Sequence, residues 1–207
     1  MPLQLITAPS AEPLSLEEVK LHLRVDSPDE DSRLQGLIRV AREHVETLTG
    51  RQLMIASYVL WLDEFPSESG SGQASLEAQQ LSTAVIRLPR APLQAFGTVK
   101  YLDLNNILQT MSASAYRVDT MSEPGRLTLM PNQSWPDTYA VTLAVQIAFS
   151  AGYSGASNVP EELKQAMYLL IGHWHENREA TLVGPISKAI EMAVESLCWA
   201  HRILEWS

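Results

Sequence analysis

The sequence is poor in the features that mark secreted, membrane or nucleic-acid-binding proteins. It has one cysteine, Cys198, in 207 residues. No disulfide can form within a chain, which suits a reducing compartment. Basic residues are in deficit: 15 Lys and Arg stand against 24 Asp and Glu, for a formal charge of −9. Such a surface repels phosphate and lacks the electrostatic footprint of a duplex binder. It is compatible with DNA that passes without being held. No apolar run approaches the roughly 18 residues of a membrane helix. Met1–Ser10 has neither a basic start nor a long apolar stretch, so no signal peptide is expected. There is no G-x-x-x-x-G-K-[ST] and no G-x-G-x-x-G after a strand, so no phosphate cradle of those kinds. What is there, 45% hydrophobic and 19% charged residues, is the make-up of a soluble globular chain made inside the cell.

The apolar period is helical at both ends. In "LSLEEVKLHLRV" Ser15 and Glu18 have capping-box spacing, and Leu16, Val19 and Leu23 form a stripe. In "SPDEDSRLQGLIRVAREHVETLTG" the stripe is Leu34, Leu37, Ile38, Ala41, Val45 and Leu48. Asp29, Glu30 and Asp31 suit its start and Gly50 its end. Arg39, Arg42, Glu43 and Glu46 lie opposite and read as a solvated face.

Between residues 53 and 150 the period becomes two. Strands are expected in "LMIASYVLWL", "AVIRL", "YRVD", "RLTLM" and "VTLAVQIAFS" (141–150). "GTVKYLDLNNILQTM" reads as a hairpin turning at Asn105–Asn106. Residues 66–82, small and Gly/Ser-rich, read as an exposed flexible loop. Helices return at Pro160 and over roughly 186–204, where Ile190, Ala193, Val194, Leu197 and Leu204 share a face. Strands in one block and helices in another predict an α+β fold. The N- and C-terminal helices, 1–50 and 151–207, should pack as a bundle. An antiparallel β subdomain, 51–150, is inserted between them.

Three clusters could carry chemistry. "HWHE" places His173 and His175 two apart, but two helical steps turn about 200° around the axis. The two rings then flank the Leu163–Met167–Leu170–Ile171–Trp174 stripe on opposite sides, and cannot both lie at roughly 2.0–2.1 Å from one zinc. "GYSGA" approaches the G-x-S-x-G nucleophile elbow, with Ser154 as nucleophile, His173 or His201 as base and Glu161 or Glu191 as acid. Against it stand Ala156 in place of the last glycine, a helix that starts late, and an alternating strand where a doubly buried one is needed. Trp199, Arg202 and Trp206 sit at the end of the last helix. They are either interface anchors or residues packed back on their own helices.

The order and spacing of five segments resemble a family. "LSLEEVKLHLRVDSPDEDSRLQGLIRVAREHVETLTGRQL", "LPRAPLQAFGTVKYLD", "YRVD", "IAFSAGY" and "VPEELKQAMYLLIGHWHENRE" are similar to the head–tail connector (adaptor) proteins of tailed bacteriophages, in the form with a β insertion between helical ends. The resemblance implies a structural virion protein of the neck, not an enzyme, made in the host cytoplasm and needing no cofactor or metal. It implies a homo-oligomer, a dodecameric ring that binds the portal protein on one side and a downstream neck or tail protein on the other. DNA would pass through it without specific binding, and no membrane is involved. The tail from Leu197 to Ser207, with Trp199, Arg202 and Trp206, is the candidate portal contact. His173, His175, Glu176 and Arg178 are candidate inter-subunit contacts, and the 66–82 loop a segment that orders against neighbours. Relatives often end in a Pro-Tyr-Arg type sequence; here the ending is "WAHRILEW", and Ala200 should let the last helix run on. The readings that compete with a connector are a serine hydrolase using Ser154 and a small metal-binding protein using His173 and His175.

Overall fold

The computed structural model describes residues 2–66, 85–177 and 188–203. Its elements run β1 (Leu3–Thr7), α1 (Leu16–Leu23), α2 (Asp31–Thr49), β2 (Ala56–Leu62), β3 (Ile86–Leu88), β4 (Leu93–Leu102), β5 (Leu108–Thr110), β6 (Tyr116–Asp119), β7 (Gly125–Leu129), β8 (Val145–Ala151), α3 (Glu161–Glu176) and α4 (Lys188–Trp199). The fold is α+β, with antiparallel strand pairs throughout. Two units form around two cores. One holds residues 1–8 and 56–152, the other 9–55 and 153–207.

The helical unit begins where the capping box expects it. The Ser15 N–H donates to Glu18 Oε2 at 2.7 Å, and the Glu18 N–H donates back to Ser15 Oγ at 3.2 Å. Two helix-start donors are thereby satisfied. α2 ends at Gly50, whose φ of 71° a side chain would resist and whose N–H caps the Glu46 carbonyl. Leu34, Ile38 and Val45 of α2 meet Leu163, Met167, Leu170 and Ile171 of α3 and Val194 and Cys198 of α4 in one buried cluster. Each such side chain contributes roughly 1.5–3 kcal/mol by leaving water.

The β unit is two sheets over a second core. The larger has the order β1-β2-β8-β4-β5, the smaller β3-β7-β6. Ala56, Tyr58, Leu60 and Leu62 alternate with half-buried neighbours, as do Val145, Ile147, Phe149 and Ala151. Their buried faces share the core with Leu88 and Leu127 of the smaller sheet. β4 approaches β8 so closely at Gly97 that a Cβ there would stand 3.0 Å from the Ala148 carbonyl oxygen.

Several expectations need correcting. The first eight residues do not join the helices: Leu3–Thr7 pairs antiparallel with β2 and belongs to the β unit. Residues 51–55 belong to the helical unit instead, because Glu46 Oε1 accepts the Leu53 N–H at 3.0 Å and the Gln52 amide at 2.8 Å. The last β8 residue is Ala151, and Val141–Ala144 are not strand. Leu143 adopts φ 60° and donates its N–H to Asp63 Oδ1 at 2.8 Å, which takes it out of the ladder. α4 stops at Trp199 despite Ala200. The Ile203 N–H turns back to the Thr49 carbonyl at the end of α2, 2.8 Å away, and the chain leaves the helix to reach it. The face of Arg42 and Glu46 is not solvated: both are 6% exposed. Of the 66–82 loop, residues 67–82 lie outside the described residues, as do Arg178, Leu204 and Trp206.

Candidate functional site

The "HWHE" stretch ends α3, and the helix separates its histidines as the spacing requires. His173 Nδ1 lies 3.2 Å from the Asn177 side-chain nitrogen one turn on. His175 Nδ1 instead faces Glu30, with 3.4 Å to Oε2. Trp174 between them is half-buried against the helical core, its ring edge-on to His44 with centroids 6.1 Å apart. Its carbonyl accepts from Arg33 Nη2 at 3.2 Å. Trp174 and His175 thus hold α3 to α2 and the turn before it, His173 bonds the end of its own helix, and of the four only Glu176 is exposed. Among the described residues, no three His, Cys, Asp or Glu side chains converge on a point where a metal could sit.

Ser154 is exposed and accepts a hydrogen bond from the Asn158 amide at 2.7 Å. His201 is committed elsewhere, with its Nε2 2.8 Å from Glu162 Oε2. That bond, followed by one from the Glu162 backbone N–H, holds the Glu162 carboxyl below the usual carboxylate range. His173 is bonded to Asn177. Nothing described joins Ser154 to a base.

The buried charges serve structure. Arg42 Nε donates to Glu12 at 2.7 Å and its Nη1 to Glu46 at 2.9 Å. Burial opposes the guanidinium charge, but Glu46 and Glu12 outweigh it and the pKa moves up. Sequence reasoning missed this network because Glu12 and Gln52 lie outside the helix that carries Arg42 and Glu46.

An exposed candidate remains at the end of α4. Trp199 is 67% exposed and Met192, two turns earlier, 62%. With Glu195 and Ser196 they line an open depression. The Arg202 guanidinium carbon stands 5.9 Å from the centre of the Trp199 ring, in cation–π range. Three contacts fix the chain that follows. Arg51 Nε donates to the His201 carbonyl, His201 bonds Glu162, and Ile203 bonds Thr49. Cys198, one residue before Trp199, points the other way: it is buried, and burial pushes its thiol up to about 11. Trp199 and Arg202 are therefore presented outward on an anchored turn. Among the described residues no helix is long and apolar enough to cross a membrane.

Comparison with known proteins adds a likeness along the whole chain. Residues 13–99 match the model of the phage gp6-like head-tail connector proteins, in agreement with the resemblance read from the sequence. None of the curated protein sequences matches. Among solved structures, the chain is similar to one in the neck of an empty gene transfer agent particle computed with C6 symmetry. The TM-score is 0.75 at 21% identity, covering 100% of this chain and 98% of that one. It is similar to one in the virion of a native gene transfer agent particle, with TM-score 0.74, 20% identity and the same coverage. A chain in the neck of the native particle computed with C12 symmetry gives TM-score 0.72 at 20% identity, again over 100% and 98%.

Proposed function

We propose that this head–tail connector chain works as one subunit of a ring in the neck of a phage-type particle, joining the portal of the head to the next neck or tail protein and continuing the DNA channel. It is a structural protein of the virion neck, not an enzyme. The observation that carries the reading is the agreement of the connector match over residues 13–99 with a fold shared over 100% of the chain with neck proteins. A ring is supported by the C6 and C12 symmetry of the necks in which those similar chains sit. The charge of −9 supports a wall that does not hold DNA.

Trp199 and Arg202 are the proposed portal contact among the described residues, with Trp206 beyond them. An exposed indole with a guanidinium stacked on it has the composition of an interface anchor. His173, His175, Glu176 and Arg178 are proposed to contact the neighbouring subunit, the weight falling on Glu176 because His175 already faces Glu30.

Mass spectrometry of purified particles should find the chain in constant ratio to the portal protein. Deleting its gene should leave filled heads without tails. Tailed particles lacking the chain would end the reading.

A further inference from the structure

The ring reading leaves open which surfaces meet between copies, and the β unit offers a pair. A cyclic ring needs a head-to-tail interface, in which two different patches of one chain meet on neighbouring copies. Among the described residues the five-stranded sheet has two unpaired margins, β1 and β5. An unpaired margin presents a row of backbone donors and acceptors, and natural proteins usually guard it with charge, proline or a covering segment.

Pro2 and Pro9 flank β1, but neither strand itself carries a charged residue or a proline. Pro2–Ala11 contains no charged residue, nor does Leu104–Tyr116; Asp103 stands just before the second stretch, its Oδ2 accepting from the Gln109 side chain at 2.8 Å. In a chain of charge −9, copies repel wherever acidic surfaces face each other, so two margins whose own strands carry no charge are where they can meet. Both margins also expose apolar side chains. Leu5 is 50% exposed and Ile6 55% on β1; Leu104 is 65%, Ile107 56% and Leu108 50% exposed at the β4–β5 hairpin.

Strand direction agrees. Each successive pair across β1-β2-β8-β4-β5 is antiparallel, so β1 and β5 run the same way. Rotation about a ring axis keeps that direction and brings β5 of one copy beside β1 of the next as a parallel pair. A two-fold dimer would instead set β1 against β1.

We infer that β5 of each subunit pairs with β1 of its neighbour, so that the sheets of successive copies join edge to edge around the ring. This rests on the ring reading. Gln4 pairs with Val59, and Leu108 with Leu102. By strand alternation both lie on the sheet face away from the core.

The test is a full-length Gln4→Cys, Leu108→Cys double variant, treated with a short bis-maleimide in purified particles, beside each single variant. The buried Cys198 thiol gives little background. Edge pairing predicts a ladder of covalent oligomers for the double variant and only monomers for the singles. Ring copies in the particles without a ladder would overturn the pairing and leave the ring standing. Dimers from Gln4→Cys alone would also overturn it, in favour of a two-fold contact. Absence of the chain from particles would overturn the ring reading and this inference together. A second variant, Leu5→Asp with Leu108→Asp, should fold with an unchanged thermal midpoint and enter particles at least tenfold less than the parent chain; undiminished entry would overturn the pairing.

Discussion

Glu46 is the residue on which most polar groups of the helical unit converge. Its two oxygens take Arg42, the Gln52 amide and the Leu53 N–H. Removing one partner of a buried ion pair leaves the other charge without compensation, at a cost of roughly 3–5 kcal/mol. Glu46→Ala should therefore lower stability by about that amount in urea unfolding. Glu43→Ala, three residues away with an exposed side chain 3.5 Å from the same Arg42, should stay within about 0.5 kcal/mol. Equal effects would mean that the pocket admits water. The contrast was not legible in the sequence, where both glutamates sit on one polar helix face. What separates them is the contact of Glu46 with Gln52 and the Leu53 N–H, which helical spacing does not encode.

Asp119 offers a pH signature at the same scale. It accepts from the Ser122 hydroxyl at 2.7 Å and from Arg126 at 2.6 Å. These bonds, Ser122 first, hold its carboxyl well below the usual carboxylate range. A group depressed on folding contributes stability that is full above the unfolded value and is lost as pH falls through the folded one. The contribution should thus be present at neutral pH and vanish only in strong acid. A carboxyl-carbon NMR titration should place Asp119 below the other aspartates, and Ser122→Ala should move it back up.

Elements set by local signals were the most legible. The Ser15–Glu18 capping box and the Gly50 stop lie within one turn of the helix end they govern, and both stand where sequence alone puts them. Ser15→Ala should cost about 1 kcal/mol, read as a shift of the urea midpoint. Elements set by distant partners were not legible. Leu3–Thr7 becomes a strand only because Ala56–Leu62 offers it an edge, more than fifty residues on. Val141–Ala144 has the alternation of a strand, yet Asp63 draws Leu143 away from it. The last helix stops where Thr49 captures Ile203, which no propensity of Ala200 could announce. Tight approach between strands is similarly hidden. A Cβ at Gly125 of β7 would stand 2.9 Å from the Leu93 Cβ of β4. Gly125→Val should cost about 1–3 kcal/mol through overpacking, lowering the thermal midpoint; no change would mean that the two strands can part there.

For the molecule as a whole, the proposed portal contact at the exposed end of α4 should separate folding from assembly. Trp199 stands mostly in solvent, so Trp199→Ala should leave the urea midpoint within about 0.5 kcal/mol of the parent while attachment to portal falls. Trp206→Ala should likewise weaken attachment more than folding, and equal losses would mark it as a core residue. The exposed Trp199 and Arg202 were legible as a candidate because composition alone singles them out. The two sheet margins were not, since finding them requires the strand order. The connector reading itself came from the order of segments along the chain rather than from any one of them.

The strand at the amino terminus also decides how the chain can be cut. Residues 56–152 are contiguous and carry every described strand of their unit but one, so they look like a natural excision product. Released alone, they would leave β2 as a bare margin with its Leu60 and Tyr58 side uncovered. A synthetic peptide of the first eight residues should then bind in trans, register against Ser57–Leu60, and restore solubility to the fragment. The protein would become a split reporter whose two pieces reassemble by adding a single strand.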